Sequence, residues 1–272
     1  MTADPAVLAV DLGPGVRAGF TVARPGADPP NLSLTVGDRA AAAAHRSALD
    51  AWAGGSVAFV HQVHGAAVHL AAVTTVDPRP LADAVVSATG VPVGVLVADC
   101  VPVLLADPTA RVVGAVHAGR RGVVAGVVPA AVAAMVAAGG REDRVRAVVG
   151  PSICGACYEV PEELRDEVAR QVPGAEATTS WGTPALDLRR AVTGQLRDAG
   201  VRDVADVGGC TLEDERWFSH RGTTAGRPVG RLAAVVVARS VTPGVSSQVS
   251  EASGVSVRND QPCTGRTAQL WR

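Results

Sequence analysis

Two short apolar runs in the middle of the chain constrain its fold most, because each breaks off at a chemically reactive side chain. Residues 93–98 lead into Asp99 and Cys100, and residues 112–116 end at His117. Short, Val-rich runs bounded by Gly, Pro or Asp are typical of buried strands, and the Asp-Pro step between the two runs predicts a turn. The sequence therefore predicts two adjacent strands that bring Cys100 and His117 together at one end of a sheet.

The side chains at these strand ends, together with His64, are candidates for a metal site or a catalytic site. His64 precedes a glycine at a predicted junction of strand and turn, where the backbone can approach a ligand closely. In one interpretation His64, Cys100 and His117 hold zinc and leave a fourth position open to water or substrate. In a second, Cys100 is a thiolate nucleophile with His117 as its base, and either Asp83 or Asp99 orients the imidazole. In a third, the cysteine is an inert thiol of an apolar core.

Three arginines are candidates for binding an anion. Arg120 and Arg121 follow His117 closely, and Arg221 follows His220. Guanidinium groups fit the oxygens of phosphate or carboxylate with paired hydrogen bonds. The alternative for each of them is an ordinary solvated arginine on the surface.

Cys154 and Cys157 form a Cys-x-x-Cys motif, which is found in redox pairs and as half of a zinc ribbon. The sequence contains no second motif of this kind, which argues against a ribbon. Because Gly-Pro-Ser precedes the motif, we interpret the segment as a loop that forms the wall of a site.

Composition and charge exclude several classes of protein. A chain of 272 residues with 47% hydrophobic residues fits one large globular domain or two small ones and excludes a disordered chain. All 25 basic residues are arginine, and the absence of lysine excludes Schiff-base catalysis and a Walker-type phosphate loop. A net charge of −1 argues against a nucleic-acid-binding protein, which would carry a clustered positive field.

The sequence also predicts the compartment. No run approaches 18 apolar residues, and the first residues lack the basic flank of a signal peptide, so we expect neither a membrane partner nor secretion. Five cysteines, an odd number, indicate reduced thiols rather than a disulfide framework. We therefore expect a cytoplasmic protein.

Apolar periodicity and Gly/Pro breaks predict a chain of mixed strands and helices. Besides the central pair, strands are predicted at residues 7–12, 18–23, 32–36, 57–60, 68–73, 146–149, 204–207 and 232–238. Helices are predicted at residues 38–52, with Asp38 as the cap, and at residues 123–138, 162–171 and 188–199. Residues 1–239 contain no linker and are predicted to be one domain, whereas residues 240–272 lack periodicity and are predicted to be a disordered tail.

Five sequence blocks, in order along residues 10–239, resemble one known family. They are HQVHG at 61–65, ADCVPV at 98–103, VHAGRRG at 116–122, GPSI at 150–153 with CYEV at 157–160, and FSHR at 218–221 followed by GR at 230–231. The chain resembles the laccase-domain or multicopper polyphenol oxidase-like proteins, also called purine nucleoside phosphorylase or peptidoglycan editing factor proteins. The resemblance implies an α+β fold, a single-domain layered α/β/β/α sandwich with mixed β-sheets. That sandwich is similar to the catalytic domain of cytotoxic necrotising toxins, which use a Cys–His pair.

The resemblance also implies a site and an activity. In the family, the histidine of QVHG, the cysteine of ADC and the histidine of HAG bind zinc, and they correspond to His64, Cys100 and His117. Copper fits less well, because one cysteine and two histidines do not supply a multicopper cluster. The implied activity is phosphorolysis of purine nucleosides (adenosine, inosine and guanosine), with adenosine deamination and methylthioadenosine cleavage among relatives. The partners are then a purine nucleoside and phosphate, the latter bound by the three arginines named above.

The chain departs from the family pattern beside the site, where Arg120 stands in place of a tryptophan and adds a charge. Three other functions attached to the family or its fold stay open. They are hydrolytic editing of peptidoglycan precursors, copper-dependent oxidation of phenols, and a metal-bound scaffold in cell division or wall synthesis. The sequence gives no oligomeric state.

Overall fold

A five-stranded β-sheet and a six-stranded β-sheet lie face to face in the computed structural model of the protein, which describes residues 6–24, 26–73 and 78–239. The strands are β1 (Val7–Val10), β2 (Val16–Thr21), β3 (Ala58–Phe59), β4 (Val68–Leu70), β5 (Ala84–Ser87), β6 (Val93–Val97), β7 (Val101–Asp107), β8 (Val112–Ala118), β9 (Arg146–Val149), β10 (Glu176–Thr178), β11 (Pro184–Leu186), β12 (Asp203–Asp206) and β13 (Leu232–Ala238). The helices are α1 (Arg39–Ala53), α2 (Arg120–Val124), α3 (Val127–Ala137), α4 (Glu162–Gln171) and α5 (Leu188–Asp198). Of the helices described, none has the length and apolarity that a membrane crossing requires. The tail predicted at residues 240–272 lies outside the described residues.

Both large sheets mix parallel and antiparallel strands, as predicted. The first sheet has the strand order β1-β2-β13-β6-β3, and the second has the order β12-β9-β7-β8-β5-β4. Neighbouring strands are antiparallel except for β3 and β6 in the first sheet, and β4 with β5 and β9 with β12 in the second. Strands β10 and β11 pair with each other in a small separate sheet.

The central strands are apolar throughout because both of their faces are covered. Every residue of β7, β8 and β13 is buried. Side chains alternate along β7, so that Val103 and Leu105 pack toward helices while Leu104 and Ala106 pack toward the first sheet. A strand covered on both faces has no polar side and appears in the sequence as a continuous hydrophobic run, which is why the pattern predicted β8 and β13. Strand β7 was not predicted as a strand of its own, although its residues form the same kind of run.

Helices cover the outer faces of both sheets. Leu49 of α1 packs with Val235 on the outer face of the first sheet. Met135 of α3 and Val192 of α5 belong to the cluster on the outer face of the second sheet. The order of layers is therefore α1, first sheet, second sheet, and then α3 with α5, which agrees with the predicted α/β/β/α layering.

The predicted pairing of the central strands is wrong in one respect. Strand β6 (Val93–Val97) belongs to the first sheet, where it pairs with β13 and β3. The strand beside β8 is β7, and the predicted turn after Asp107 joins these two. Cys100 and His117 still meet, because Cys100 directly precedes β7 and Pro102 of β7 pairs with His117. Local apolar pattern cannot tell which of two sheets a buried strand enters.

Two other predicted elements differ for local reasons. The helix predicted at residues 123–138 is divided into α2 and α3, because Gly126 adopts a left-handed conformation with φ of 81°. The strand predicted at residues 32–36 is absent, since the Asn31 side chain accepts from the Ser33 N–H and donates to the Val36 carbonyl, which bends the backbone. Asp38 caps α1 as predicted, accepting from two amides of the first turn.

A fully buried carboxylate, that of Asp107, holds the turn at the far end of β7. It accepts from the amides of Thr109 and Ala110, from the amide of Arg141, and from the guanidinium of Arg144. Burial raises the pKa of Asp107, but these hydrogen bonds and the Arg144 charge outweigh it and leave the pKa below its ordinary value. The carboxylate is therefore ionised and fully partnered.

The variant Asp107→Asn is expected to lower the free energy of unfolding by about 3 kcal/mol, because its amide nitrogen would face donors and leave Arg144 unpaired. Urea unfolding followed by circular dichroism at neutral pH measures this loss. Because the pKa is lowered in the folded state, the difference from wild type is expected above the unfolded pKa of about 4 and to shrink as the pH falls below it. Asp143→Asn, which changes an exposed ion pair, is the control. Equal unfolding midpoints for wild type and Asp107→Asn would contradict the prediction.

Candidate metal centre and active-site cleft

The structure brings His64, Cys100 and His117 together, and we call these three residues the metal centre. One ligand atom from each lies within 4.8 Å of the others. The Cys100 Sγ is 3.8 Å from His64 Nε2, and the two imidazole rings lie with their centroids 4.7 Å apart at an interplanar angle of 79°. Three side chains far apart in sequence thus converge on one small volume.

Different structural elements position the three side chains. His117 is buried near the end of β8, and Cys100 stands where the chain passes from the first sheet to the second. His64 lies in a loop and has a left-handed backbone with φ of 61°. The side-chain amide of Gln62 bonds both the N–H and the carbonyl of Leu96, which fastens this loop to β6. The loop is therefore held in place by strand-like hydrogen bonds from a side chain.

Asp83 orients two of the three side chains. Its Oδ1 accepts from His117 Nδ1 at 2.8 Å and from the His64 N–H at 2.9 Å, while its Oδ2 accepts from the N–H groups of Val63 and Gly65. Burial raises the pKa of Asp83, but the hydrogen bonds from His117 and the loop amides outweigh it and lower the pKa. The bond to Nδ1 leaves Nε2 of His117 as its ligand atom, an arrangement common among metal-binding histidines.

Asp99, the other carboxylate considered for this role, holds loops instead. Its carboxylate accepts from the Thr211 hydroxyl and from the Arg221 N–H, each at 2.6 Å, and its carbonyl accepts from the Ile153 N–H at 3.0 Å. Asp99 has a φ of 80°, a conformation that costs a non-glycine residue about 1 kcal/mol or more. Its three hydrogen bonds offset that cost and tie together three loops beside the metal centre.

Cys100 and His117 have shifted pKa values in the metal-free protein. Burial raises the pKa of the Cys100 thiol, but hydrogen bonds and charge from His117 and His64 outweigh it and lower the pKa to about 6. Burial lowers the pKa of His117, whereas its bonds to Asp83 and Cys100 raise it to about 9. At neutral pH the metal-free site therefore holds a thiolate beside an imidazolium.

Position 119 requires glycine because the side chains of His64 and Cys100 lie very close to its backbone. A Cβ at this position would lie 2.7 Å from Cδ2 of His64 and 3.1 Å from Sγ of Cys100. Any side chain there would push both ligands aside. This steric reason explains the glycine of the HAG block.

The residues of the metal centre suit zinc. Two imidazoles and one thiolate are the donor types that Zn²⁺ prefers, and three protein ligands with an open fourth position are typical of catalytic zinc sites. The buried Asp83 behind His117 supplies the outer-shell hydrogen bond that such sites use.

A cleft of about 380 Å³ opens beside the metal centre. The polar residues that line it are His64, Asp99, Cys100, Arg120, Arg121, Tyr158, His220 and Arg221. All three arginines predicted from the sequence therefore border the same space as the metal centre. Arg121 also donates to the Val63 carbonyl, and Arg221 donates to the Glu159 carbonyl, which steadies both side chains.

Tyr158 and His220 also line the cleft, and the sequence alone predicted no role for either residue. Tyr158 is the only tyrosine of the chain, and the guanidinium of Arg221 lies 5.5 Å from its ring centroid. Burial and the nearby Cys100 charge raise the pKa of the Tyr158 hydroxyl, which stays protonated at neutral pH. The isolated tyrosine after a Gly-Pro loop was the signal that could have identified it.

The lowered pKa of Cys100 predicts an early titration in the metal-free protein. Thiolate absorbance at 240 nm is expected to rise with a midpoint near the pKa of about 6, below the usual thiol value of about 8.5. Subtracting the curve of Cys100→Ser removes the contribution of the other cysteines. A difference curve with its midpoint above about 8 would show an ordinary thiol and contradict the proposed electrostatics.

Comparison with known proteins identifies the family of the chain. Residues 17–239 match the model of the family described as multi-copper polyphenol oxidoreductase laccase. A protein of Streptomyces griseus named purine nucleoside phosphorylase is 50% identical over 221 residues, covering 76% of this chain and 85% of the relative. A protein of Mycobacterium tuberculosis with the same name is 43% identical, covering 81% of this chain and 88% of the relative.

Solved structures share the fold. A protein of Neisseria meningitidis superposes with a TM-score of 0.76 at 29% identity, covering 86% of this chain and 100% of that one. YlmD of Geobacillus stearothermophilus superposes with a TM-score of 0.72 at 28% identity, covering 83% and 93%. The chain therefore belongs to the multi-copper polyphenol oxidoreductase laccase family, as its sequence blocks predicted, and is similar to proteins named purine nucleoside phosphorylases.

Proposed function

We propose that the protein is a zinc-dependent purine nucleoside phosphorylase whose reaction takes place in the cleft beside the metal centre. The observation that most supports this is the presence of three arginines and a zinc-type ligand set around one cleft. In the reaction, a phosphate oxygen bonds to C1′ of the ribose while the C1′–N9 bond breaks. The purine leaves with the bonding electrons and takes up a proton.

Arg120, Arg121 and Arg221 bind the phosphate in this proposal. Each guanidinium offers five N–H donors, and the hydrogen bonds to Val63 and Glu159 leave most of them for a ligand. Several guanidinium groups around one anion both neutralise its charge and fix the direction of the attacking oxygen. The phosphate is thereby held ready for attack.

Zinc held by His64, Cys100 and His117 would supply Lewis acidity toward the substrate. Asp83 keeps the His117 ring in place through Nδ1, so that the ligand set is preorganised. Tyr158, whose hydroxyl stays protonated, is the proposed hydrogen-bond donor to the departing purine. These residues account for stabilisation of the leaving base without further groups.

The proposal also covers two further reactions, the cleavage of methylthioadenosine and the deamination of adenosine. Methylthioadenosine differs from adenosine only at the 5′ position, so the proposed phosphate and purine contacts serve both. Deamination of adenosine would instead use water to attack C6 of the purine and release ammonia. We include both reactions in the proposal and expect product analysis to separate them.

Two alternatives draw on specific observations. Arginines that suit phosphate also suit the diphosphate of a nucleotide-linked wall precursor, and the same centre could then hydrolyse an amide. The Cys100 thiolate beside a protonated His117 also fits a cysteine nucleophile, as in the toxins whose fold the sequence resemblance implied. Copper-dependent oxidation of phenols is disfavoured, because the metal centre provides two histidines and one cysteine, too few for a multicopper cluster.

Replacing Cys100 with Ala is expected to remove about one equivalent of zinc and to lower nucleoside phosphorolysis about a thousandfold, the equivalent of about 4 kcal/mol in the transition state. Metal analysis and release of free base from inosine, with and without phosphate, measure the two effects. His69→Ala, which changes a histidine of β4, is the matched control and is expected to keep both. If the wild-type protein stays fully active after its metal is removed with a chelator, while Cys100→Ala is inactive, zinc has no role in the reaction. That outcome would establish Cys100 as the nucleophile.

The same assay separates the other functions. Phosphate-independent release of an amino acid from a wall-precursor nucleotide would select editing. Release of ammonia from adenosine would instead identify the deamination that the proposal includes. Absence of every product with metal-loaded protein would favour the scaffold and contradict the proposal.

Replacing Arg221 with Gln is expected to raise the KM for phosphate about tenfold, corresponding to about 1.4 kcal/mol, with a KM for inosine close to that of wild type. The reason is the loss of one guanidinium from the anion-binding wall of the cleft. Arg197→Gln, an exposed arginine of α5, is the control. Equal phosphate KM values for Arg221→Gln and wild type would remove Arg221 from the phosphate site.

A further inference from the structure

A second group of ligand-type side chains lies apart from the metal centre. We call it the sulfur cluster, and its members are Cys154, Cys157, Cys210 and Glu213. One ligand atom from each lies within 4.8 Å of the others. We propose that the sulfur cluster, in the reduced protein, is a structural zinc site with four protein ligands.

The two halves of the sulfur cluster have the same backbone geometry. In the first half, the Cys154 carbonyl accepts from the N–H groups of Cys157 and Tyr158 at 3.0 and 2.9 Å. In the second half, the Cys210 carbonyl accepts from the N–H groups three and four residues later, at 3.1 and 2.9 Å. Each half is thus one tight turn with a ligand at its first and fourth positions, which is the spacing of Cys-x-x-Cys zinc ligands.

Sheet-like pairing brings the two turns together. Ser152 and Cys210 form a parallel bridge, and the Thr211 N–H donates to the Ser152 carbonyl at 3.1 Å. The Cys154 N–H also points at the Cys210 Sγ, with 3.5 Å between nitrogen and sulfur. Amide donors to sulfur stabilise a thiolate in metal sites, so the backbone of one turn serves the ligand of the other.

The surroundings of the sulfur cluster are apolar. Cys157 and Cys210 are buried among Ile153 and Leu212, and Trp181 packs against the same group. Three sulfur donors and one carboxylate favour Zn²⁺ over Mg²⁺ or Ca²⁺, which prefer oxygen ligands. Cys154 and Glu213 are half-buried, but four protein ligands leave no position open for a substrate, which is typical of structural zinc sites rather than of catalytic ones.

The prediction of reduced thiols throughout is wrong for Cys154, which is disulfide-bonded in this structure, whereas Cys157 and Cys210 are free thiols. The proposal therefore applies to the protein treated with a water-soluble phosphine. The phosphine supplies the two electrons that convert the disulfide to thiols and becomes a phosphine oxide with an oxygen atom from water. Zinc binding then displaces the thiol protons.

Zinc at the sulfur cluster would fasten two walls of the cleft. Tyr158, which lines the cleft, directly follows Cys157, and Thr211, which holds Asp99, directly follows Cys210. Cross-linking the two turns would therefore fix these residues without the zinc ion touching the substrate. This role is independent of the reaction that the cleft carries out.

The test measures zinc in full-length, phosphine-reduced protein carrying Cys100→Ala, which empties the metal centre but leaves the sulfur cluster intact. About one equivalent of zinc is expected to stay bound after dialysis, and adding Cys157→Ser and Cys210→Ser is expected to remove it. Cobalt(II) in place of zinc is expected to give strong sulfur-to-metal absorption in the near ultraviolet from three thiolates. Cys100→Ala protein that retains no zinc and gives no such absorption would overturn the proposal.

A second variant leaves the buried thiols unchanged, so that a loss of zinc cannot be attributed to misfolding of the core around them. Glu213→Gln removes one ligand charge at a half-buried position and is expected to weaken zinc binding about tenfold or more, measured by competition with a chromogenic chelator. Glu215→Gln, an exposed glutamate in the same segment, is the matched control and is expected to bind as tightly as its parent. Equal affinities for both variants would exclude Glu213 and overturn the four-ligand site.

Discussion

The buried carboxylate of Asp83 is the interaction on which the metal centre depends. It lies just before β5, and the pairing of β5 with β8 places it beside His117. The same carboxylate accepts three amides of the loop that carries His64, so one charge sets the ring of one ligand and the backbone of another. Burying a charge is costly unless it is fully hydrogen-bonded, and here each oxygen has two donors.

The cleft lies at the junction of the two sheets, which explains how distant residues come to share it. Cys100 stands where the chain leaves β6 in the first sheet and enters β7 in the second, and His117 is opposite on β8. Asp99, next to this crossing, binds the loops that contribute Ile153 and Arg221. The loops that form the walls of the cleft are therefore anchored to strands. This anchoring provides the rigidity that is needed to hold reacting groups in a fixed orientation.

The metal centre and the sulfur cluster offer two different coordination environments. The metal centre has three ligands and faces the cleft, whereas the sulfur cluster has four ligand-type side chains among apolar neighbours. Open sites serve chemistry and closed sites serve stability. Tyr158 and Thr211 each follow a member of the sulfur cluster in the sequence. A zinc ion bound at the sulfur cluster would therefore also hold these two residues in place beside the cleft of the metal centre.

The sequence by itself determined what depends on local pattern. Continuous apolar runs predicted the buried strands β6, β8 and β13, a polar cap predicted the start of α1, and short sequence blocks indicated the candidate ligands and arginines. Only the tertiary structure decided that β6 joins the first sheet, that Asp83 rather than Asp99 orients His117, and that Cys157 meets Cys210. The physical reason is the same in each case. Strand pairing and the partners of a buried side chain are set by residues far away in sequence, which local periodicity does not record.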